Sequence, residues 1–196
     1  MYYEVSWLGR GGQGAVTASR LLAKALVEEG LWAQSIVFFG AERRGAPVYA
    51  YNRISDKPIK YHHFVYKPDI AIVFESSLLK ITNILQQVKP NATIILNHHT
   101  HVLNSDIDLS GYKVGIVDAT GIAINLNLRV AGIPVVNTAM LGAFAKVMKF
   151  PTVNTIMKII RESWPSKIGE LNAEAAKLAY EKTEIIEPKK IDKEAV

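Results

Sequence analysis

The stretch EVSWLGRGGQGAVTASRLLAKALVEEG, residues 4–30, decides how the rest of the chain is read. Its glycines at 9, 11 and 14 spell G-x-G-x-x-G, and Gly12 adds a fourth. Residues 2–8 predict a strand. Residues 15–29 place Ala18, Leu21, Leu22, Ala25 and Leu26 on one face of a helix, and Gly30 is a natural stop. A strand that turns through glycines into a helix aims backbone N–H groups at the space before the helix, the arrangement by which backbone holds phosphate. Gly9 is expected to make the tight turn, Gly11 to let a ligand reach the backbone, and Gly14 to let helix pack on strand. Arg10 and Gln13 complete the candidate loop. The same motif also occurs as a bare strand-to-helix turn, and both readings stand at this level.

Outward from that unit, WAQSIVFF at 32–39 predicts a second strand. Residues 48–54 and 59–65 flank SDKP, whose Asp and Pro are turn formers, and together they predict an antiparallel hairpin. IAIVF at 70–74, ATIIL at 92–96 and KVGIVD at 113–118 read as strands, the first two as apolar runs of the kind buried in parallel sheets, with a helix from Leu78 to Val88 between them. From Thr138 the pattern turns helical: TAMLGAFAKVMKF, TVNTIMKIIRESW, then a more polar segment over 167–182, punctuated by Pro151 and Pro165. The expected fold is α/β: an open, mostly parallel, Rossmann-like sheet with an antiparallel hairpin and C-terminal helices. Residues 1–182 are read as one α/β domain. Residues 183–196, ending EPKKIDKEAV, are read as a polar, solvated C-terminal tail.

Composition bounds the chemistry. The 196 residues contain no cysteine, which excludes disulfides, thiol nucleophiles and an iron–sulfur cluster held by thiolates of this chain. A hydrophobic fraction of 49% and a mean hydropathy of +0.11 suggest apolar surface that partners cover. No run approaches the roughly 18 apolar residues of a membrane span, and MYYEVSW lacks the marks of a signal peptide, so a cytoplasmic protein with no membrane association is expected. The net charge of +5 raises nucleic acid as a partner. Its lysines cluster toward a C-terminus of mixed sign, so no nucleic-acid partner is expected.

A dinucleotide reading of the glycine loop requires a ribose-binding acid at the end of the second strand. The chain there reads Phe38, Phe39, Gly40 and Ala41 before Glu42, followed by Arg43 and Arg44 within GAERRGAP, 40–47. Two arginines on the crevice rim suit phosphates, which guanidinium groups grip through paired hydrogen bonds. Pairing with Glu42 or with a partner's carboxylate is the other role open to them. Asn137 and Thr138 lie between a strand and a helix: Thr138 is expected as an N-cap and Asn137 as a contact residue. NHHTH at 97–101 is read as a polar loop rather than a metal site, and His62 and His63 as neighbours on opposite faces of a strand. No catalytic acid, base, nucleophile or metal ligand stands out.

Four segments in order, GRGGQGAVTAS, FGAERRGAPV, KPDIAIVF and VVNTAMLGAF, resemble the gamma subunit of 2-oxoacid:ferredoxin oxidoreductases, the pyruvate synthase group, over about residues 5–180. The resemblance implies oxidative decarboxylation of a 2-oxoacid such as pyruvate, with the acyl group passed to coenzyme A and electrons to ferredoxin. It also implies alpha, beta and delta partner subunits, separate or fused, which hold thiamine diphosphate, Mg and the iron–sulfur clusters. This chain would then contact coenzyme A in part, through Gly9, Arg10, Gly11, Gly12, Gln13, Gly14, Arg43, Arg44 and Asn137. The family often carries a second glycine where this chain has Ala46 after Gly45, which puts close approach at that position in doubt. The alternative is a stand-alone Rossmann-type NAD(P)-dependent reductase, in which Arg43 or Arg44 receives a 2′-phosphate.

Overall fold

The computed structural model describes residues 1–37, 45–61, 63–99 and 107–189. In chain order these form β1 (Tyr2–Arg10), α1 (Ala15–Glu28), β2 (Trp32–Val37), β3 (Pro47–Ser55), β4 (Ile70–Val73), α2 (Ser77–Ile81), α3 (Ile84–Gln87), β5 (Thr93–Asn97) and β6 (Lys113–Val117). There follow α4 (Ala119–Asn125), β7 (Arg129–Val130), β8 (Ile133–Pro134), α5 (Asn137–Met148), α6 (Val153–Ser163), α7 (Lys167–Lys182) and β9 (Glu184–Ile186). The main sheet has the order β2-β3-β1-β4-β5-β6-β9, and β7 pairs with β8 apart from it. β1, β4, β5 and β6 are linked by parallel ladders, while β3 and β9 run the other way.

The central strands are buried on both faces, as their apolar runs require. Period-2 alternation then sorts the core. Val5, Trp7, Ile70, Ile72 and Ile95 pack with α1 and α5 on one face, and α6 and α7 add to that layer. Leu8, Ala71, Val73, Ile94 and Leu96 face α2 and α3 on the other. Gly142 of α5 sits so close to α7 that a Cβ there would overlap the Ala176 carbonyl, so the two helices pack backbone to backbone.

The hairpin expected from 48–54 and 59–65 does not form. β3 instead lies between β2 and β1, antiparallel to both, with Ile36 opposite Tyr51 and Trp7 opposite Ala50. A strand has two edges, and both edges of β3 are taken. Residues 59–61 and 63–65 cross its outer face as irregular chain, where the buried Arg53 guanidinium donates to the carbonyls of Tyr61 and His63. The helix expected over 78–88 is two short helices, broken where Thr82 Oγ1 donates back to Leu78 O (2.7 Å) and Asn83 takes φ 50°. The start of the expected tail is not loose: β9 pairs with β6, Ile185 packs on the core, and Lys189 N donates to Ser110 O (2.8 Å).

Asn52 fixes the unusual strand order. Its Oδ1 accepts from the indole Nε1 of fully buried Trp7 (2.6 Å), and its Nδ2 donates to Ser19 O (2.9 Å) and Gln34 O (3.0 Å). One amide thus joins β1, α1, β2 and β3. Asn52→Ala leaves the buried Trp7 N–H without its acceptor and removes the bonds to Ser19 O and Gln34 O. It is expected to lower stability by about 3 kcal/mol, read as a fall in the urea midpoint at unchanged m-value.

Candidate functional site

The glycine segment runs from the end of β1 into α1, and its backbone explains each glycine. Gly9 is still in the strand, where a Cβ would press on the Phe74 ring (3.1 Å) and on Gln13 Oε1 (3.3 Å). The turn expected of Gly9 is made instead by Gly12 (φ 99°) and Gly14 (φ 87°), a backbone that side chains rarely adopt. Gly14 is the N-cap of α1 and has the buried Asn137 directly behind it, whose Nδ2 lies 2.7 Å from where a Cβ would stand.

The loop satisfies part of its own hydrogen bonding. Gln13 folds back so that its Oε1 accepts from Arg10 N (2.7 Å), Gln13 N donates to Arg10 O (3.0 Å), and Gly11 N donates to Ala46 O (3.0 Å). The N–H groups of Gly12 and Gly14 have no acceptor among the described residues. Among the described residues α1 has no side-chain cap, and its first turn holds no acid to offset the N-terminal partial charge of about half a unit.

Arg10 is held by a partner that sequence reading missed. Its guanidinium makes two bonds to Glu75, from Nε to Oε2 (2.9 Å) and from Nη2 to Oε1 (3.1 Å), and further bonds to Gly45 O (3.1 Å) and Ser77 Oγ (3.1 Å). The hydrogen bonds from Arg10 hold the Glu75 carboxyl below the usual carboxylate range, against the opposing effect of its partial burial. Glu75 follows β4, and the carboxyl ends of open-sheet strands are where ligand crevices form.

A crevice of about 540 Å³ opens along those ends, lined by Gln13, Glu75, Asn97, His98, Asp118 and Thr120 among others. Asn97 is locked by Nδ2 bonds to Phe74 O and Thr120 Oγ1, both 2.8 Å, and Asp118 Oδ1 caps α4 through Gly121 N (2.7 Å). Position alone, one or two residues past an apolar strand, was the signal that could have found Glu75, Asn97 and Asp118.

The remaining sequence-predicted residues divide. Asn137 supports Gly14, and its Oδ1 accepts from Thr138 N (2.8 Å). Thr138 is not the N-cap, a position held by Val136; its buried hydroxyl donates instead to Asn172 Oδ1 of α7 (3.0 Å). Arg43, Arg44 and Glu42 lie outside the described residues, as does His62; Gly45 and Ala46, which follow the arginines in the chain, bond to Arg10 and Gly11. Among the described residues, no group of three or more His, Asp or Glu side chains is arranged to hold a metal ion, and no helix is long and apolar enough to cross a membrane.

Fold and site together define an α/β domain with a glycine turn and an open helix N-terminus at the strand ends. A family model described as pyruvate ferredoxin/flavodoxin oxidoreductase matches residues 4–182. The pyruvate synthase subunit PorC of Methanothermobacter thermautotrophicus is 45% identical over 181 residues, 92% of this chain and 96% of that protein. The pyruvate/ketoisovalerate oxidoreductases common subunit gamma of Pyrococcus furiosus is 43% identical over 187 residues, 94% and 98% of the two. The crystal structure of pyruvate oxidoreductase subunit PORC from Thermotoga maritima matches with a TM-score of 0.77 at 32% identity, covering 95% of this chain and 99% of that one. A 2-oxoglutarate:ferredoxin oxidoreductase from Magnetococcus marinus shares the fold (TM-score 0.70, 16% identity), over 92% of this chain and 31% of its own. The chain belongs to the pyruvate ferredoxin/flavodoxin oxidoreductase family, as a gamma subunit of the 2-oxoacid:ferredoxin oxidoreductase type.

The Arg10–Glu75 clasp has a pH signature. Because the folded Glu75 pKa lies below its unfolded value of about 4.3, the clasp is complete at neutral pH and is lost only as pH falls through the lowered value. NMR of the Arg10 Nε–Hε group is expected to follow that transition, and Glu75→Gln to abolish the bonded signal at pH 7. The stability change is expected to stay below about 1 kcal/mol, since both side chains are about one-third exposed.

Proposed function

We propose that this chain supplies part of the coenzyme A site of a multisubunit 2-oxoacid:ferredoxin oxidoreductase, with pyruvate as its 2-oxoacid. The observation that carries the reading is the N-terminus of α1 without a side-chain cap, reached through a turn whose Gly12 and Gly14 N–H groups have no acceptor among the described residues. Coenzyme A carries a pyrophosphate and a 3′-phosphate, and backbone N–H groups at a helix N-terminus suit such anions. Arg10 is already neutralised by Glu75, so the cationic contacts are assigned to Arg43 and Arg44, with Gln13 on the crevice side and Asn137 behind the loop. The Magnetococcus marinus enzyme, which shares this fold, was solved with coenzyme A bound. Pyruvate is favoured by the names of the relatives, although the Pyrococcus furiosus subunit is described as common to pyruvate and ketoisovalerate oxidoreductases.

Thiamine diphosphate, Mg and the clusters are assigned to alpha, beta and delta partners, with ferredoxin meeting the assembled enzyme. A chain without cysteine offers no thiolate to a cluster. This chain's own part is to bind and orient: the turn receives phosphate, and the crevice walls limit where the rest of the carrier can lie.

The test is a complex reconstituted with Arg43→Ala/Arg44→Ala. Losing charge-assisted hydrogen bonds worth about 1.5–3 kcal/mol is expected to raise the KM for coenzyme A about tenfold or more, with the KM for the 2-oxoacid and subunit co-elution unchanged. An unaltered KM for coenzyme A removes the arginines from the site. NADPH-dependent reduction of a substrate by the isolated chain would replace the whole reading with the stand-alone reductase.

A further inference from the structure

The outer face of β3 carries a surface that the coenzyme A reading does not use. Tyr51 and Arg53 point away from the core beneath α1, and the irregular chain after β3 lies across them as a strap, residues 57–61 and 63–67. From Lys57 to Pro68 the sequence KPIKYHHFVYKP holds no acid. Tyr61 is 56% exposed and Tyr66 75%, beside half-exposed Phe64 and exposed Lys57, Lys60, His63 and Lys67. Among the described residues none of these lysines has an ion-pair partner. The acids that flank this stretch in sequence are paired, Asp56 with the Met1 ammonium (2.7 Å) and Asp69 with Lys89 (2.8 Å), and Glu4 pairs with Arg53 (3.0 Å).

Beneath the strap lies a socket of about 190 Å³, walled by Tyr51, Phe64, Tyr66, Ile84 and Gln87 and floored by Ser6. Ser6 is 1% exposed, and its Oγ is the one buried side-chain polar atom among the described residues without a hydrogen-bond partner. A buried hydroxyl left unpaired is costly and marks a place where something else completes the bond.

We infer that the strap and its socket dock a companion protein subunit that presents an acidic face and one polar-tipped side chain for the Ser6 hydroxyl. The inference rests on the gamma-subunit reading. Exposed Tyr66 at the rim of a mostly apolar socket, with exposed Tyr61 farther along the strap, has the make-up of an interface hot spot, and the lysines without ion-pair partners select a partner of opposite sign. A second copy of this chain is disfavoured, because two such straps would bring like charges together. Nucleic acid is disfavoured because bases stack on open ring faces, whereas these rings meet edge to face, Tyr51–Phe64 at 5.3 Å and Phe64–Tyr66 at 5.8 Å.

The test co-expresses the full chain with the other subunits of its own oxidoreductase. It compares wild type with Lys57→Glu/Lys60→Glu/Lys67→Glu and with Tyr61→Ser/Tyr66→Ser, at exposed positions where melting temperature and circular dichroism are expected to be unchanged. Support is assembly by wild type that weakens with added salt, together with a loss of affinity of about tenfold or more in each variant. Variants that assemble as well as wild type overturn the docking surface and leave the gamma-subunit reading intact. Failure of wild type itself to assemble overturns both. Binding of a short poly-dT oligonucleotide that the lysine variant loses, with assembly unaffected, overturns the inference in favour of nucleic acid, and a wild-type homodimer dissolved by the variants overturns it in favour of a second copy.

Discussion

The buried amide of Asn52 binds β1, α1, β2 and β3 at one point, and the geography of the domain follows from it. A pairing that brought β2 directly beside β1 would leave the Trp7 indole N–H without its acceptor in a core where no water replaces it. With β3 inserted, β2 stands two inter-strand spacings from β1, about 10 Å. The end of β2 is therefore not the immediate neighbour of the glycine turn, as it is in a simple Rossmann unit. The neighbour is the start of β3, where Pro47 pairs with Arg10 and the carbonyls of Gly45 and Ala46 take bonds from Arg10 and Gly11. The residues that follow the arginine pair, Gly45 and Ala46, are thereby held at the loop.

How much of this was legible depended on the range of the forces involved. The apolar runs at 70–74 and 92–96 announce buried strands because both faces of a central strand must be apolar whatever the partners. The α1 stripe was visible for the same local reason. The SDKP turn misled because turn chemistry is local, while the partners of β3 are β2 and, some 45 residues earlier in register, β1, rather than the chain after the turn. Nothing in YNRIS marks its edges as taken. The break at Asn83 and the short strand Glu184–Ile186 were hidden likewise, since each depends on what it packs against rather than on its own composition. In the site, glycines advertise themselves by spacing. Glu75 does not: its grip on Arg10 exists only because β1 and β4 are parallel neighbours.

That grip changes the electrostatics of the rim. A count of residues places Arg10, Arg43 and Arg44 together as three positive charges. Geometry cancels the first against Glu75 and turns its fork toward Gly45, Glu75 and Ser77, so Arg10 acts as a brace holding the turn, the start of β3 and the β4–α2 junction in register. Gln13 completes the brace from within the loop by occupying the Arg10 N–H. Among the described residues, what remains for an anion is backbone, namely Gly12, Gly14 and the first turn of α1, which keeps its polarity at any pH. A pyrophosphate suits such a site because its charge is spread over several oxygens that N–H groups can meet one by one.

That residues 59–61 and 63–65 are not strand has its own physical cause. Arg53 is fully buried, and an uncompensated guanidinium in that position is prohibitively costly. Glu4 supplies one charge-assisted bond and Gln34 Oε1 a longer one at 3.4 Å, but five donors need more acceptors than two side chains provide. Strand backbone would direct its carbonyls sideways, into ladders. Irregular backbone turns the carbonyls of Tyr61 and His63 down onto the guanidinium instead. Tyr61, Phe64 and Tyr66 are then left exposed, the last two at the socket. Satisfying one buried charge on β3 is what presents the aromatic and basic strap to a partner.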